Sequence, residues 1–354
     1  MATFSFRNQA SISSVSYFPF KFEKIRFSPW VFGCLFFVLG KILRPNAIDP
    51  DTDISIFQVA GTSSIFLFWL GALFCWGRVF QSLSASKNIG IGPVLGFGSA
   101  FMVTFAGLLG HLGYIGVGSH VFFCSVLFLG YLLESYVSEP LFLSRGIKAS
   151  SFINWFALLP LCLLVVWGVC LFAKALIPHF HSDPLISYLV GPRLWFQDGK
   201  ISFSPRLPIA AQAAYWEYLH IWGNILLADL DGRGLFEAAV FAQCSHVALG
   251  WGGSVLVLKG IYKRLKISEF FSNFSLLVAV NSGLITWTIW LGKNDWGVTF
   301  WTLCGIFFWF GCASSILDLV LCGLFFGLAI GAKISSLFTI FPFLGFMTLA
   351  RASG

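Results

Sequence analysis

Asp183 stands in IPHFHSDPLISYLVGPRLWFQDGKISFSPRLP, a polar stretch from 177 to 208 in an otherwise apolar chain. A second acid, Asp295, interrupts another apolar run at LGKNDWGVTF. Acids at the margin of a bilayer are costly to place and mark functional positions by default. A carboxylate beside an aromatic wall can take the proton of an incoming hydroxyl and act as general base. The neighbouring Arg193, Lys200 and Arg206 suit the charge on a departing phosphate, the larger task in group transfer from a lipid phosphate. For Asp183 the structural alternative is an N-cap, since Asp followed by Pro184 starts a helix well.

The elements that must position these acids are membrane helices. With 57% hydrophobic residues, only 10% charged, 42 Phe and 14 Trp, the composition excludes a soluble globular domain, and aromatic residues gather at membrane interfaces. Asking for 17–25 largely apolar residues per crossing gives about ten spans. They lie at 30–43, 57–80, 91–109, 114–133, 152–177, 236–258, 276–291, 298–312, 317–332 and 337–350. The segment 209–227 is less apolar and carries Glu217, His220 and Asn224 among aromatics, which predicts a short amphipathic helix lying in the interface or half inserted. The expected fold is an all-α polytopic bundle.

Lys and Arg in short loops set the orientation. Lys21, Lys24, Arg26, Arg78, Lys87, Arg145, Lys148, Lys259, Lys263, Arg264 and Lys266 fall on one side and are assigned to the cytoplasm. Asp183, Asp295 and the loop 178–235 then share the outer face, periplasmic or extracellular. Arg193, Lys200, Arg206 and Arg233 run against that rule and are expected to hold an anion instead. The net charge of +7 fits loops that meet anionic lipid and calls for no nucleic acid. The nine cysteines show no metal-ligand spacing and read as small apolar residues.

Three regions follow: a cytoplasmic segment 1–28, a scaffold of four spans at 29–140, and 150–354, which holds the polar residues of interest. The Gly-rich run GIGPVLGFGSAFMVTFAGLLGHLGYIGVG has no βαβ context for a dinucleotide site. Its small residues are expected to let helices pack closely, and the same is expected of Gly323, Gly327 and Gly331.

Taken in order, these features resemble the lipid-phosphate-sugar-dependent glycosyltransferases of the GT-C superfamily, related to protein mannosyltransferases and aminoarabinose transferases. The carrying residues are Asp183, Leu185, Leu189, Pro192 and Arg193 in a D-x-L-x-x-x-L-x-x-P-[KR] string, then LWFQDGKISFSP. Glu217 in AYWEYLHIW, His246 in AQCSH, Asp295 at the outer start of a helix and GLFFGLAIGAKISSL follow. The resemblance covers roughly residues 150 to 350. It implies that Asp183 is the catalytic base and that Asp295 supports it, by orienting the acceptor or helping to hold a divalent metal. Arg193, Lys293 and Lys333 are implied as ligands of the phosphate of a polyprenyl-linked sugar donor, with Glu217 and His246 in the same substrate region. The acceptor would be a lipid, glycan or protein.

Each assignment has a plain alternative. Lys333 can snorkel from its helix end, and Glu217 can belong to the exposed face of an interfacial helix. His179, His181 and Asp183 alternate as metal ligands in an extended segment do. The Tyr-His pair found in relatives after the first acid is replaced by Ser187 and Tyr188. Relatives commonly continue beyond the point where this chain stops, so a fragment or a short member is expected. A transporter would place ionisable or broken-helix positions near the bilayer centre, where the sequence shows few; a non-catalytic scaffold is the third reading.

Overall fold

The computed structural model describes residues 29–43, 56–83, 89–137, 155–177, 189–202, 215–227, 234–280, 294–311 and 315–352. Among them every regular element is a helix, the form that satisfies backbone polar groups within one segment where no water is present. The first five are α1 (Pro29–Leu43), α2 (Ile56–Leu83), α3 (Ile91–His111), α4 (His120–Val137) and α5 (Trp155–Ala175). Two short helices, α6 (Val190–Asp198) and α7 (Glu217–Leu227), precede a long rod. That rod comprises α8 (Leu235–Ser245), a π-helical stretch His246–Gly253 and α9 (Ser254–Arg264). Last come α10 (Glu269–Val280), α11 (Asp295–Trp309), α12 (Ile316–Ala332) and α13 (Leu337–Ala352).

Among the described residues, four helices are long and apolar enough to cross a membrane: Ile56–Ser82, Ile91–His111, Leu158–Ala175 and Glu237–Arg264. Five described helices are apolar but shorter, among them Pro29–Leu43 and Ile316–Ala332. The rod is the core of the bundle, with 78% of its most apolar window buried; for Leu158–Ala175 the figure is 22%, the mark of an outer, lipid-facing position.

Several sequence boundaries shift. The span expected at 236–258 runs on to Arg264, and the one expected at 298–312 begins at Asp295. The helix expected from 276 starts at Glu269. The larger correction concerns 209–227. Residues 209–214 lie outside the described set, but all eleven residues of α7 are buried, so this helix does not lie on a surface. At eleven residues, or roughly 16 Å, it is too short to cross the bilayer. Its aromatic residues carry it inward: Trp222 Nε1 donates to the Met102 carbonyl at 3.1 Å, and Gly223 admits the ring of Phe241.

Glycine contacts set how closely the helices approach. A Cβ at Gly77 would meet the Val94 carbonyl, and one at Gly98 the Leu73 carbonyl, so α2 and α3 touch backbone to backbone. Gly92 approaches the backbone nitrogen of Val257 on the rod, and Gly96 lies against Cys304 Sγ on α11. The close-packing reading of the Gly-rich run therefore holds. It fails for most of the second set, because Gly323 and Gly327 have open space beside them and only Gly331 packs, against the Tyr215 ring.

The bundle has two unlike ends, joined by the fifteen residues of α11. Near its last turn, Arg264 lies 3.7 Å from the Phe307 ring centroid and donates to the Phe307 carbonyl at 2.6 Å. Asp295 begins the opposite end. One buried core joins the two halves of the chain, from Ile65 to Ile340.

Gly98→Leu should destabilise the bundle by at least the ~1–3 kcal/mol typical of overpacking, because a rigid carbonyl has nowhere to move. Gly323→Ala should be neutral or stabilising by up to about 1 kcal/mol. Thermal unfolding midpoints of both variants in detergent test the contrast.

Candidate functional site

Three chain segments are stitched together at the Asp295 end. Asn294 precedes α11, and its Nδ2 donates to the Ala332 carbonyl at 2.9 Å, tying the start of α11 to the end of α12. Lys333 then leaves α12 in extended backbone (φ −157°), which carries its ammonium to Asp295 Oδ1 at 2.5 Å. The Tyr215 amide donates to the Gly331 carbonyl at 3.1 Å, bringing the start of α7 to the same turn. Glu217 opens α7, with the Asn294 side chain in hydrogen-bonding contact and the charges of Lys333 and Asp295 acting on it.

Glu217 is 5% exposed. The exposed-face alternative is therefore excluded for this residue. Burial pushes its carboxyl up to about 8, because a dry surrounding penalises the charged form. Lys333 does not snorkel alone: it is ion-paired, and both partners are half-exposed, at 39% and 47% of their side chains. Such a pair is available to solvent, is stabilised modestly, and can be exchanged for another ion.

A second polar centre sits behind the first. Trp216, the residue before Glu217, donates through Nε1 to His246 Nδ1 at 2.9 Å. Indole is a donor only, so His246 Nδ1 must accept and its neutral ring must carry hydrogen on Nε2. That Nε2 is buried and has no hydrogen-bond partner among the described residues. His246 opens the π-helical stretch, where Gly250 lies against Trp296 Cβ and Gly253 against the Phe300 ring. Wide turns of this kind inside α-helices occur frequently at functional sites. The Trp216 ring stacks edge-on with Trp301 at 5.1 Å, and Trp301 Nε1 donates to Ser99 Oγ at 3.0 Å.

Arg193 lies elsewhere. It lines a cavity of about 90 Å³ with His220 and Asn224 of α7 and apolar residues of α6 and α8, among them Val190 and Ala242. Asn224 Nδ2 donates to the His220 carbonyl at 3.1 Å, which fixes the amide on the cavity wall. At the start of α7, Tyr218 Oη lies 3.2 Å from His111 Nε2 on α3.

Of the sequence-derived site residues, Asp295, Lys333 and Glu217 thus meet at one place. His246 is joined to that place through Trp216, and Arg193 faces a separate cavity. Asp183, Lys293, His179 and His181 lie outside the described residues. Sequence reasoning did not single out Asn294 or Trp216 for the site. The spacing of Glu217, His220 and Asn224, three and four residues apart, is the helical signal that these side chains share a face. Nothing comparable marked Trp216, whose partner is thirty residues away in sequence.

Chemically, the cluster offers a solvent-accessible ammonium already matched to a carboxylate, and a buried acid beside it. It fits an anionic group that competes with Asp295 for Lys333. No family model, no curated protein and no solved structure matches this chain.

Trp216→Phe should leave His246 Nδ1 buried without a donor and cost about 1–3 kcal/mol. Trp301→Phe should cost less, because Ser99 Oγ keeps its bond to the Gly96 carbonyl at 2.8 Å; equilibrium unfolding of the two variants reads the difference.

Proposed function

We propose that the chain is a membrane glycosyltransferase that moves a sugar from a polyprenyl-phosphate donor to an acceptor at the outer face of a cell membrane. In this reading the ten apolar segments all cross the bilayer, and the Asp295 end of the bundle is the periplasmic or extracellular one. Asp183 is the general base. It takes the proton of the acceptor hydroxyl as that oxygen attacks the sugar carbon and the lipid phosphate departs with the bonding electrons.

The observation that carries the reading is the Asp295–Lys333 pair, which brings the last two pieces of the resemblance into contact at the end of the bundle away from Arg264. Lys333 would exchange Asp295 for the donor phosphate, since a compact ammonium meets phosphate as a point charge. The freed Asp295 would orient the acceptor. Arg193 and Lys293 are further candidates for the phosphate. No step is routed through a metal.

A second reading, a transporter or flippase, is favoured by one specific observation. The short buried helix α7, with Glu217, His220 and Asn224, and the π-helical stretch of the rod are interior ionisable and broken-helix positions. Such positions line transport sites, and they are more numerous than the sequence suggested.

Asp183→Asn should abolish sugar transfer from a polyprenyl-phosphate donor while the protein still accumulates in the membrane; full activity would remove Asp183 from the role of base. Lys333→Met should slow transfer by about 10²-fold or more, the usual loss for one charge-stabilising group. Flux of a labelled solute into proteoliposomes, without any transfer product, would instead establish the transport reading.

A further inference from the structure

Two buried oxygens of the residues at the start of α7 and just before α11 lack donors. Glu217 Oε2 and Asn294 Oδ1 each lack a hydrogen-bond partner among the described residues, and both residues are nearly fully buried, at 5% and 6% exposure. The Asn294 amide donates to the Ala332 carbonyl, and its side chain also hydrogen-bonds Glu217, which leaves Glu217 Oε2 as the carboxyl oxygen without a donor. An ionised Glu217 would add a charge to a place that already has an acceptor surplus, and each unmet buried acceptor costs about 1–3 kcal/mol. A protonated Glu217 turns one acceptor into an O–H donor and removes the charge.

The charges that face this carboxyl come from two elements: Asp295 of α11 and Lys333 after α12. They oppose one another, and they are bound to each other. The other titratable groups around α7 are engaged or placed elsewhere. Tyr218, on the same helix, faces His111 of α3; Arg193 and His220 line the cavity; His246 is held by Trp216. Glu237 is buried near the start of α8, the helix packed against α7. The dry carboxyl thus lies within the electrostatic reach of a pair whose side chains are 39% and 47% exposed to water.

We propose that Glu217 is a proton-exchange site governed by the Lys333–Asp295 pair. While Lys333 is paired with Asp295, Glu217 carries a proton. When a ligand draws Asp295 away, Lys333 is left with an unmatched charge; the O–H bond of Glu217 breaks, the proton passes to water, and the Glu217 carboxylate becomes the new counter-ion. One proton leaves for each exchange, and Lys333 keeps a counter-ion throughout. The exchange belongs to a ligand that takes Asp295 without bringing Lys333 an anion; in the sugar transfer proposed above, where the donor phosphate itself pairs with Lys333, Glu217 keeps its proton.

Infrared titration of the purified full chain in nanodiscs reads the site directly, through absorbance of a protonated carboxyl. The wild type should keep one such band into the neutral range and lose it with a midpoint near 8, the value to which burial raises this group. Glu217→Gln should remove that band. Asp295→Asn should move the midpoint down and Lys333→Met should move it up, both read on native Glu217 even if the Gln variant folds poorly. Stability gives an independent measure. Folded Glu217 holds a proton that the unfolded chain releases near the ordinary 4.5, so its contribution is complete below that value and falls as pH rises through about 8. Glu217→Gln should flatten that slope. A wild type with no protonated-carboxyl band above about pH 6, the same band in Glu217→Gln, or a midpoint that neither charge variant moves would overturn the proposal.

Discussion

The turn at Gly331–Lys333 holds the polar end of this protein in place. Its carbonyls at Gly331 and Ala332 accept from Tyr215 and Asn294, and its lysine reaches Asp295. Three elements far apart in sequence therefore end at one point, and each supplies a polar group there. Without water to substitute, a buried amide or carbonyl must find its partner inside the protein. The extended backbone at Lys333 makes this possible: it ends α12 while leaving the last carbonyls free to accept.

The same demand explains α7. A helix carrying Glu, His and Asn among large aromatic side chains would be stable at a membrane surface, with its polar face in water. Here the aromatic side chains bring it inside, because Trp216 and Trp222 find acceptors on the rod and on α3. Gly223 and Gly107 leave room for the Phe241 and Tyr218 rings. Once α7 is enclosed, its polar residues must serve the interior. Glu217 turns to the helix ends at Asp295, and His220 and Asn224 turn to the cavity shared with Arg193.

Close glycine packing makes the enclosure rigid. With α2 and α3 in backbone contact, and α3 against both the rod and α11, the tryptophan and phenylalanine rings fill the remaining volume instead of separating the helices. The His246–Gly253 stretch is the one place in the rod where the winding widens, and it widens beside the tautomer-fixed imidazole. A rigid frame around a locally broken helix suits a site that must hold a lipid-linked substrate, and equally one that must let a solute pass.

Amino-acid order alone determined the membrane class, the helical content and where most helices lie, because each depends on the length and composition of one local run. It also marked Asp295, Lys333 and Glu217, since charges in an apolar chain stand out wherever they fall. Tertiary structure decided which of them meet. Lys333 and Asp295 lie 38 residues apart, and their contact depends on the pitch and length of α11 and α12, which the sequence does not display. Burial of α7, the Trp216–His246 bond and the separation of Arg193 from the acid cluster were likewise invisible, because periodicity says that a face is polar and not whether water or protein covers it. For Gly323 and Gly327 the spacing suggested packing, but no described residue of another helix comes within 4 Å of a Cβ there to use it. The sequence states what each segment can bury, and only the assembled bundle states against what.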